Sequence, residues 1–498
     1  METDKQKETV DFFLKQGILI TPEALTKVAE SAEDVRTQIA ETSRSENLFI
    51  LRSDISQNHF ASQGPSITKT QEDTAKEERK DLKVVFSYRE APKKIDVQDF
   101  VSFFGERYKT IEKMLANRPE LLNTMSINRI AAKRNRENVS LIGLVSDKQR
   151  TKNQNIMLNV EDTTGSIKVI VNKTKPELYQ LAKDVVCDEV IGINGTNSDR
   201  VVFANSIVLP DVLKDRELKK AAEESYAIFI SDLHVGSRFF LGDEFDSFLS
   251  WINGKKGTDE QRKIVENVKY IFIAGDLVDG VGIYPGQEKE LTILDIYDQY
   301  KACGELLKQI PSHITIVVCA GNHDAMRISE PQLELYKDFA APIWSLPNIV
   351  MVSNPSIINI GAKSEFKGFD VLMYHGYSFD YYAAEVDSIR SSGGYDRPDL
   401  IMKFLMKRRH LAPTHSSTLY MPDSNQDCLV VNKVPDFFIT GHIHRCSVSN
   451  YRNITMINGS CWQSKTTFQE KMGHNPEPCR VPIVNLQTRG VKVLKFGE

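Results

Sequence analysis

The chain has 498 residues, 41% hydrophobic and 26% charged, with a net charge of −4. That balance fits a soluble globular protein of roughly two to four domains. It excludes a membrane helix, since no apolar run approaches the roughly 20 residues one needs, and global charge does not advertise nucleic-acid binding, although a local basic surface stays open.

The seven cysteines, 187, 303, 319, 428, 446, 461 and 479, form no Cys-x-x-Cys pair. A zinc ribbon is therefore not expected, and buried thiols are. The start, Met1-Glu2-Thr3-Asp4-Lys5, has no signal-peptide pattern. The expectation is a cytoplasmic protein with no membrane partner.

Taken in chain order, Thr9 to Ala40 carries apolar residues at helical spacing, including Val10, Phe13, Leu14, Leu25 and Val28. Thr21-Pro22 reads as an N-cap followed by proline at the first helical position. A small helical N-terminal module is expected over 1–52. The stretch from Ser53 is rich in Ser, Thr, Gln, Glu and Lys and predicts a flexible linker over 53–90. Helical periodicity returns from Asp99 to Met125 within a segment spanning 91–135.

Strand patterns follow at Ser140–Val145, Asn155–Asp162, Ile167–Val171, Val185–Ile193 and Val201–Val208. About five strands with a helix over Lys173–Lys183 resemble an OB-fold barrel, expected at 136–215. Such barrels either bind single strands or serve as packing modules. The strands show no aromatic platform. From Tyr226, buried strands alternate with helices, which predicts an α/β domain over 216–498.

Five motifs in that domain each follow an apolar β-run. They are Asp232-Leu233-His234, Gly275-Asp276, Gly321-Asn322-His323-Asp324, His375-Gly376 and Gly441-His442-Ile443-His444. Their side chains therefore belong at the carboxyl ends of strands, where α/β sheets place their sites. Imidazoles, carboxylates and an amide oxygen suit borderline divalent metals. In Asp-x-His and His-x-His, residues two apart share a face of an extended chain and can converge. Glycines 275, 321 and 441 permit tight turns. His59, His313, His410, His415 and His474 default to structural or surface roles.

This ordered set resembles the calcineurin-like metallophosphoesterase superfamily over Tyr226 to Val484. The resemblance implies a β-sandwich flanked by helices and two divalent ions, Mn²⁺ first, with Mg²⁺, Zn²⁺ or Fe²⁺ as alternatives. Asp232, His234, Asp276 and His444 would hold one ion, and Asp276, Asn322, His375 and His442 the other, with Asp276 bridging. His323 would protonate the leaving oxygen or stabilise its charge, and Asp279 would orient that histidine. Gly280 stands where the phosphoprotein phosphatases carry arginine, which argues against that branch.

The order of helical module, linker, barrel and phosphoesterase also resembles the small subunits of archaeal D-family DNA polymerases. So does Lys407-Arg408-Arg409-His410-Leu411-Ala412-Pro413-Thr414, a signature shared with eukaryotic replicative B-subunits. The eukaryotic B-subunits have lost metal ligands, whereas this chain keeps them. That resemblance implies a 3′→5′ exonuclease that proofreads DNA ends, using two metals about 3.5–4 Å apart. It also implies a heterodimer with a large polymerase subunit, with a sliding clamp and primase reached through the complex, and a nucleoid-associated location.

Arg408 and Arg409 either contact DNA phosphates or pack and pair locally. Three rivals stand beside the exonuclease. One is a scaffold B-subunit without catalysis. Another is a double-strand-break repair nuclease, whose phosphoesterase domain usually begins near the N-terminus. The last is a small-molecule phosphodiesterase, which would hardly need the barrel.

Overall fold

The computed structural model describes residues 81–89 and 94–497, with isolated positions between 6 and 51. The chain divides into two units, Met1–Glu77 and Glu78–Glu498. Among the described positions of the first, Thr9 and Phe13 are helical and buried, and strand β1 (Leu19–Ile20) pairs in parallel with β2 (Ile50–Leu51). Most of the module expected at 1–52 and of the linker expected at 53–90 lies outside the described residues. The end of that linker span does not: Leu82–Ser87 is a strand, β3.

A helix, Val97–Ala116, follows β3 in the second unit. The Asp96 carboxylate accepts from the backbone of Gln98 and Asp99 and caps its free N–H groups. Its inner face buries Phe103, Arg107, Ile111 and Leu115 at four-residue intervals, with Tyr108 beside them. The helix stops short of the expected Met125 because Pro119 disfavours helical backbone at Arg118.

The barrel is closed in the order β4-β5-β6-β8-β7. Its strands are β4 (Asn138–Arg150), β5 (Ile156–Asp162), β6 (Gly165–Val171), β7 (Val190–Ser198) and β8 (Val201–Val208). A helix, Pro176–Lys183, joins β6 to β7. Alternate residues such as Leu158, Val160, Val169 and Val171 fill its interior. The strand expected from Val185 begins only at Val190, because 184–189 is a loop that docks on the phosphoesterase domain.

The remainder is a sandwich of two six-stranded sheets. One runs β12 (Ile349–Met351), β11 (Thr315–Cys319), β10 (Val268–Ala274), β9 (Tyr226–Ile230), β18 (Arg480–Asn485), β19 (Val491–Lys495). The other runs β16 (Ser447–Tyr451), β17 (Ile454–Asn458), β15 (Phe437–Thr440), β14 (Phe369–Met373), β13 (Ser356–Ile360), β3. Period-two alternation assigns each face. Ala227, Phe229, Phe272, Val371 and Phe437 meet between the sheets. Ile228, Ile230, Ile271 and Ile273 face helices Gly242–Ile252 and Ile296–Leu307 on one outside. Leu372 and Phe438 face helices Phe379–Glu385 and Pro398–Arg408 on the other. Each fully buried large apolar side chain contributes about 1.5–3 kcal/mol.

The signature around Arg408 lies inside this body. Arg408 Nε pairs with Glu189 Oε2 at 2.6 Å, and its Nη2 donates to the Asp184 carbonyl at 2.7 Å. Arg409 ends the helix in left-handed backbone, and its guanidinium donates to the carbonyls of Val431 and Asn432, both at 2.7 Å. Both side chains are buried, at 3% and 7% exposure. These arginines fasten the barrel loop and the 431–432 backbone, which favours the local-packing alternative over contact with DNA phosphates.

Candidate metal centre

The five motifs come from both sheets. Asp232, Asp276 and Asn322 follow β9, β10 and β11, while His375, His442 and His444 follow β14 and β15. The site thus straddles the carboxyl end of the sandwich.

Asp232, His234, Asp276, His442 and His444 have φ of +54°, +52°, +51°, +70° and +57°. The expectation that residues two apart converge along an extended strand is corrected. They sit in tight left-handed turns, at a cost on the order of 1–3 kcal/mol each, as at many functional sites. Two glycines make room. Gly275 is itself left-handed (φ +83°), and a Cβ on Gly321 would collide with the Asp276 carboxylate.

Two clusters share Asp276. In the first, His234 Nε2 lies 3.0 Å from His444 Nε2 and 3.7 Å from Asp276 Oδ2, and His444 Nε2 is 3.4 Å from Asp232 Oδ1. In the second, Asn322 Oδ1 lies 2.9 Å from both His375 Nε2 and His442 Nδ1, and Asp276 Oδ2 is 3.4 Å from His375 Nε2. The structure therefore brings together all seven residues expected as ligands.

Outer partners decide which nitrogen each ring presents. His234 Nδ1–H donates to Asp279 Oδ1 at 3.1 Å, His375 Nδ1–H to the Ala274 carbonyl at 2.8 Å, and His442 Nε2–H to Asp380 Oδ1 at 3.0 Å. In the neutral form of each ring, the His375 Nε2 and His442 Nδ1 lone pairs then face Asn322 Oδ1. Such convergence of acceptors suits a cation.

Electrostatics point the same way. Burial raises the Asp232 and Asp276 carboxyls, but His444 on the first and His375 on the second outweigh it and hold both below the usual range. Burial pulls His375 down, yet Asp276 outweighs it and carries the ring to about 10. The cluster binds positive charge tightly, as protons or as metal.

Asp279 departs from its expected role. Its carboxylate accepts from His234, from Gln463 Nε2 at 2.8 Å and from Gln287 Nε2 at 3.1 Å. His323 reaches only its backbone: Nδ1–H donates to the Asp279 carbonyl at 2.8 Å. The carboxylate orients His234, while the carbonyl orients His323. Replacing Asp279 with asparagine is expected to weaken metal affinity about 10–100-fold, as loss of an outer partner does. Isothermal titration with Mn²⁺ would show the loss in one of two binding phases.

Asp324, the last residue of the Gly321–Asp324 motif, has no role assigned from the sequence. Burial first, then the Asp276 charge, raises it to about 7. It accepts from the backbone of Gly321 at 2.8 Å and Leu277 at 3.2 Å and from Tyr300 Oη at 3.2 Å, tying two ligand loops together. The Gly321–Asp324 motif was the available signal. Gln287, Gln463 and Asp380 carried none. His474, expected in a structural or surface role, lines the cleft.

The calcineurin-like phosphoesterase family profile matches residues 227–446. The DNA polymerase II small subunit of Methanothermobacter thermautotrophicus is 40% identical over 81% of this chain and 80% of its own length. The chain belongs to the family of archaeal DNA polymerase II small subunits. The small subunit of Pyrococcus furiosus is 40% identical over 81% of the chain but 64% of its own length, and that of Halobacterium salinarum 36% identical over 81% and 75%. The fold of this family's phosphoesterase domain implies divalent metals, and the clusters above have the donors for them. No helix among the described residues is long and apolar enough to cross a membrane.

Proposed function

We propose that this chain is a metal-dependent 3′→5′ exodeoxyribonuclease that proofreads mispaired or single-stranded DNA 3′ ends beside a large polymerase subunit. The observation that carries this reading is the complete donor set, with Asn322 Oδ1 2.9 Å from two imidazole nitrogens and Asp276 shared by both clusters. A chain serving only as scaffold has no use for buried lone pairs aimed at one another.

When bound, two divalent ions would supply a water made nucleophilic near neutral pH and neutralise charge on the phosphate oxygens. Asp232, His234, Asp276 and His444 would hold one ion, and Asp276, Asn322, His375 and His442 the other. Asp279 keeps His234 Nε2 aimed inward. With Nδ1–H committed to the Asp279 carbonyl, His323 presents Nε2 to the cleft. In its protonated form it gives that proton to the 3′ oxygen as the phosphorus–oxygen bond breaks.

The partner follows from the family name: a small subunit belongs with a larger one, here a D-family polymerase in a cytoplasmic, nucleoid-associated heterodimer. DNA is the substrate, and a sliding clamp and primase are reached through the complex. The test is digestion of 3′-labelled single strands by wild type and His442→Ala in Mn²⁺, Mg²⁺ and Zn²⁺. Wild type should degrade from the 3′ end, fastest in Mn²⁺, and His442→Ala should lose more than the roughly 10–100-fold an outer partner costs. Pure protein inactive alone and with its partner would favour the scaffold.

A further inference from the structure

Five aromatic rings that the proposed chemistry does not use line the cleft holding His323 and His442, and four of them form two pairs beside Tyr377. Tyr284 and Phe468 stack with centroids 5.5 Å apart and planes 24° apart. Tyr395 and His474 lie 4.4 Å apart at 32°. Phe468 is 46% exposed, and the other three rings of these pairs are half-buried. Folding gains little from leaving such a ring in water.

One short helix, Thr467–Met472, organises both pairs. It carries Phe468, and Gly473 closes it in left-handed backbone just before His474. Between them, Gln469 Nε2 lies 2.9 Å from His444 Nδ1. The helix thus links the metal cluster to a ring near each of its ends. Tyr284 is set by the loop after Asp279, where its hydroxyl donates to Glu290 Oε2 at 2.8 Å.

The charge of the cleft narrows its occupant. Among the residues lining it, none is lysine or arginine. A nucleic-acid backbone finds no cationic side chain to grip there, so affinity next to the metals must come from elsewhere. Its volume of about 410 Å³ is within the roughly 300–1,000 Å³ of ligand pockets. Flat rings beside a phosphate-binding centre suit nucleobase faces, and stacking tolerates any base. Bases inside a duplex keep their faces covered by neighbours, whereas an unpaired end can offer them.

We infer that the Tyr284–Phe468 and Tyr395–His474 pairs are stacking platforms for the terminal bases of an unpaired DNA 3′ end. They would select frayed ends over paired ones without reading sequence. This rests on the nuclease reading, and its test separates the two.

Hydrolysis by the chain with its large partner would be compared on two single strands. One carries ordinary terminal nucleotides, and the other carries tetrahydrofuran abasic residues at its last two positions. Stacking predicts a preference for bases on the order of 5–150-fold per base. Phe468→Ala combined with Tyr395→Ala should bring that ratio close to one, and Phe468→Trp in place of alanine should restore part of it.

Independently, a strand ending in 2-aminopurine after a non-hydrolysable linkage should be quenched by wild type and not by the double variant. Base-blind hydrolysis, or a ratio the variant leaves intact, overturns the platforms and spares the nuclease. Quenching without hydrolysis in any metal overturns the nuclease and spares the platforms. Neither signal overturns both.

Discussion

His323→Ala is expected to lower turnover about 10²–10⁴-fold, the usual contribution of a positioned acid or base, while metal content stays near that of wild type. The geometry separates the two effects. The His323 contact to the bridging carboxylate runs through its backbone, whose N–H donates to Asp276 Oδ1 at 2.8 Å, and alanine keeps that bond. The imidazole itself touches the Asp279 carbonyl and faces the cleft. Steady-state kinetics with elemental analysis of the same sample would check both. Loss of both ions together with activity would move His323 from proton transfer to metal binding.

The second large effect is on stability. Asp427→Ala is expected to cost about 3–5 kcal/mol, because it strands a buried cation. Arg107 Nε pairs with Asp427 Oδ2 at 2.6 Å, and both side chains are at most 1% exposed. The same guanidinium donates to the Pro413 carbonyl at 2.7 Å and to the Asp188 carbonyl of the barrel loop at 3.3 Å. Asp427 also accepts from His410 Nε2 at 2.8 Å. One buried knot therefore joins the Val97–Ala116 helix, the barrel and the phosphoesterase domain. Urea unfolding would measure the loss. The double variant Arg107→Met with Asp427→Leu should recover part of it, since it removes both charges.

The knot also gives a pH dependence. Burial, then the Arg107 charge, lowers His410 to about 4. Between roughly pH 6.5 and 4 the unfolded chain binds the proton and the folded chain does not. This contribution to stability is thus full above that window and lost as pH falls through it. Asp427 adds in the same direction: burial raises it, but Arg107 outweighs burial and holds it far below the usual range. Its stabilisation is present above the ordinary carboxylate pKa and fades with acid. A urea midpoint independent of pH between 6.5 and 4 would sink this account.

Much of the site was legible because its signals are local. A short continuous apolar run predicts a buried strand, and a carboxylate or imidazole just past its end predicts a strand-end side chain, so Asp232, Asp276, Asn322, His375 and His442 could each be placed. The outer partners were not legible, because a glutamine such as Gln463 has no pattern until folding brings it 2.8 Å from Asp279. Arg408 and Arg409 show the opposite failure. Adjacent arginines look alike whether they meet phosphate or carbonyls, and only burial against Glu189 and Val431 separates the cases.

The sequence by itself determined the donor types, their order and the strand each follows, since these depend on residues within a few positions of one another. Tertiary structure alone decided that β9, β10 and β11 lie in one sheet and β14 and β15 in the other, so that the ligands meet across the sandwich. It alone decided that β3, within the span expected as linker, pairs with β13 far along the chain. It also turned the Asp279 carboxylate to His234 and its carbonyl to His323. Strand pairing and the choice between two hydrogen-bond partners are set by non-local packing, and no window of sequence contains both sides of such a contact.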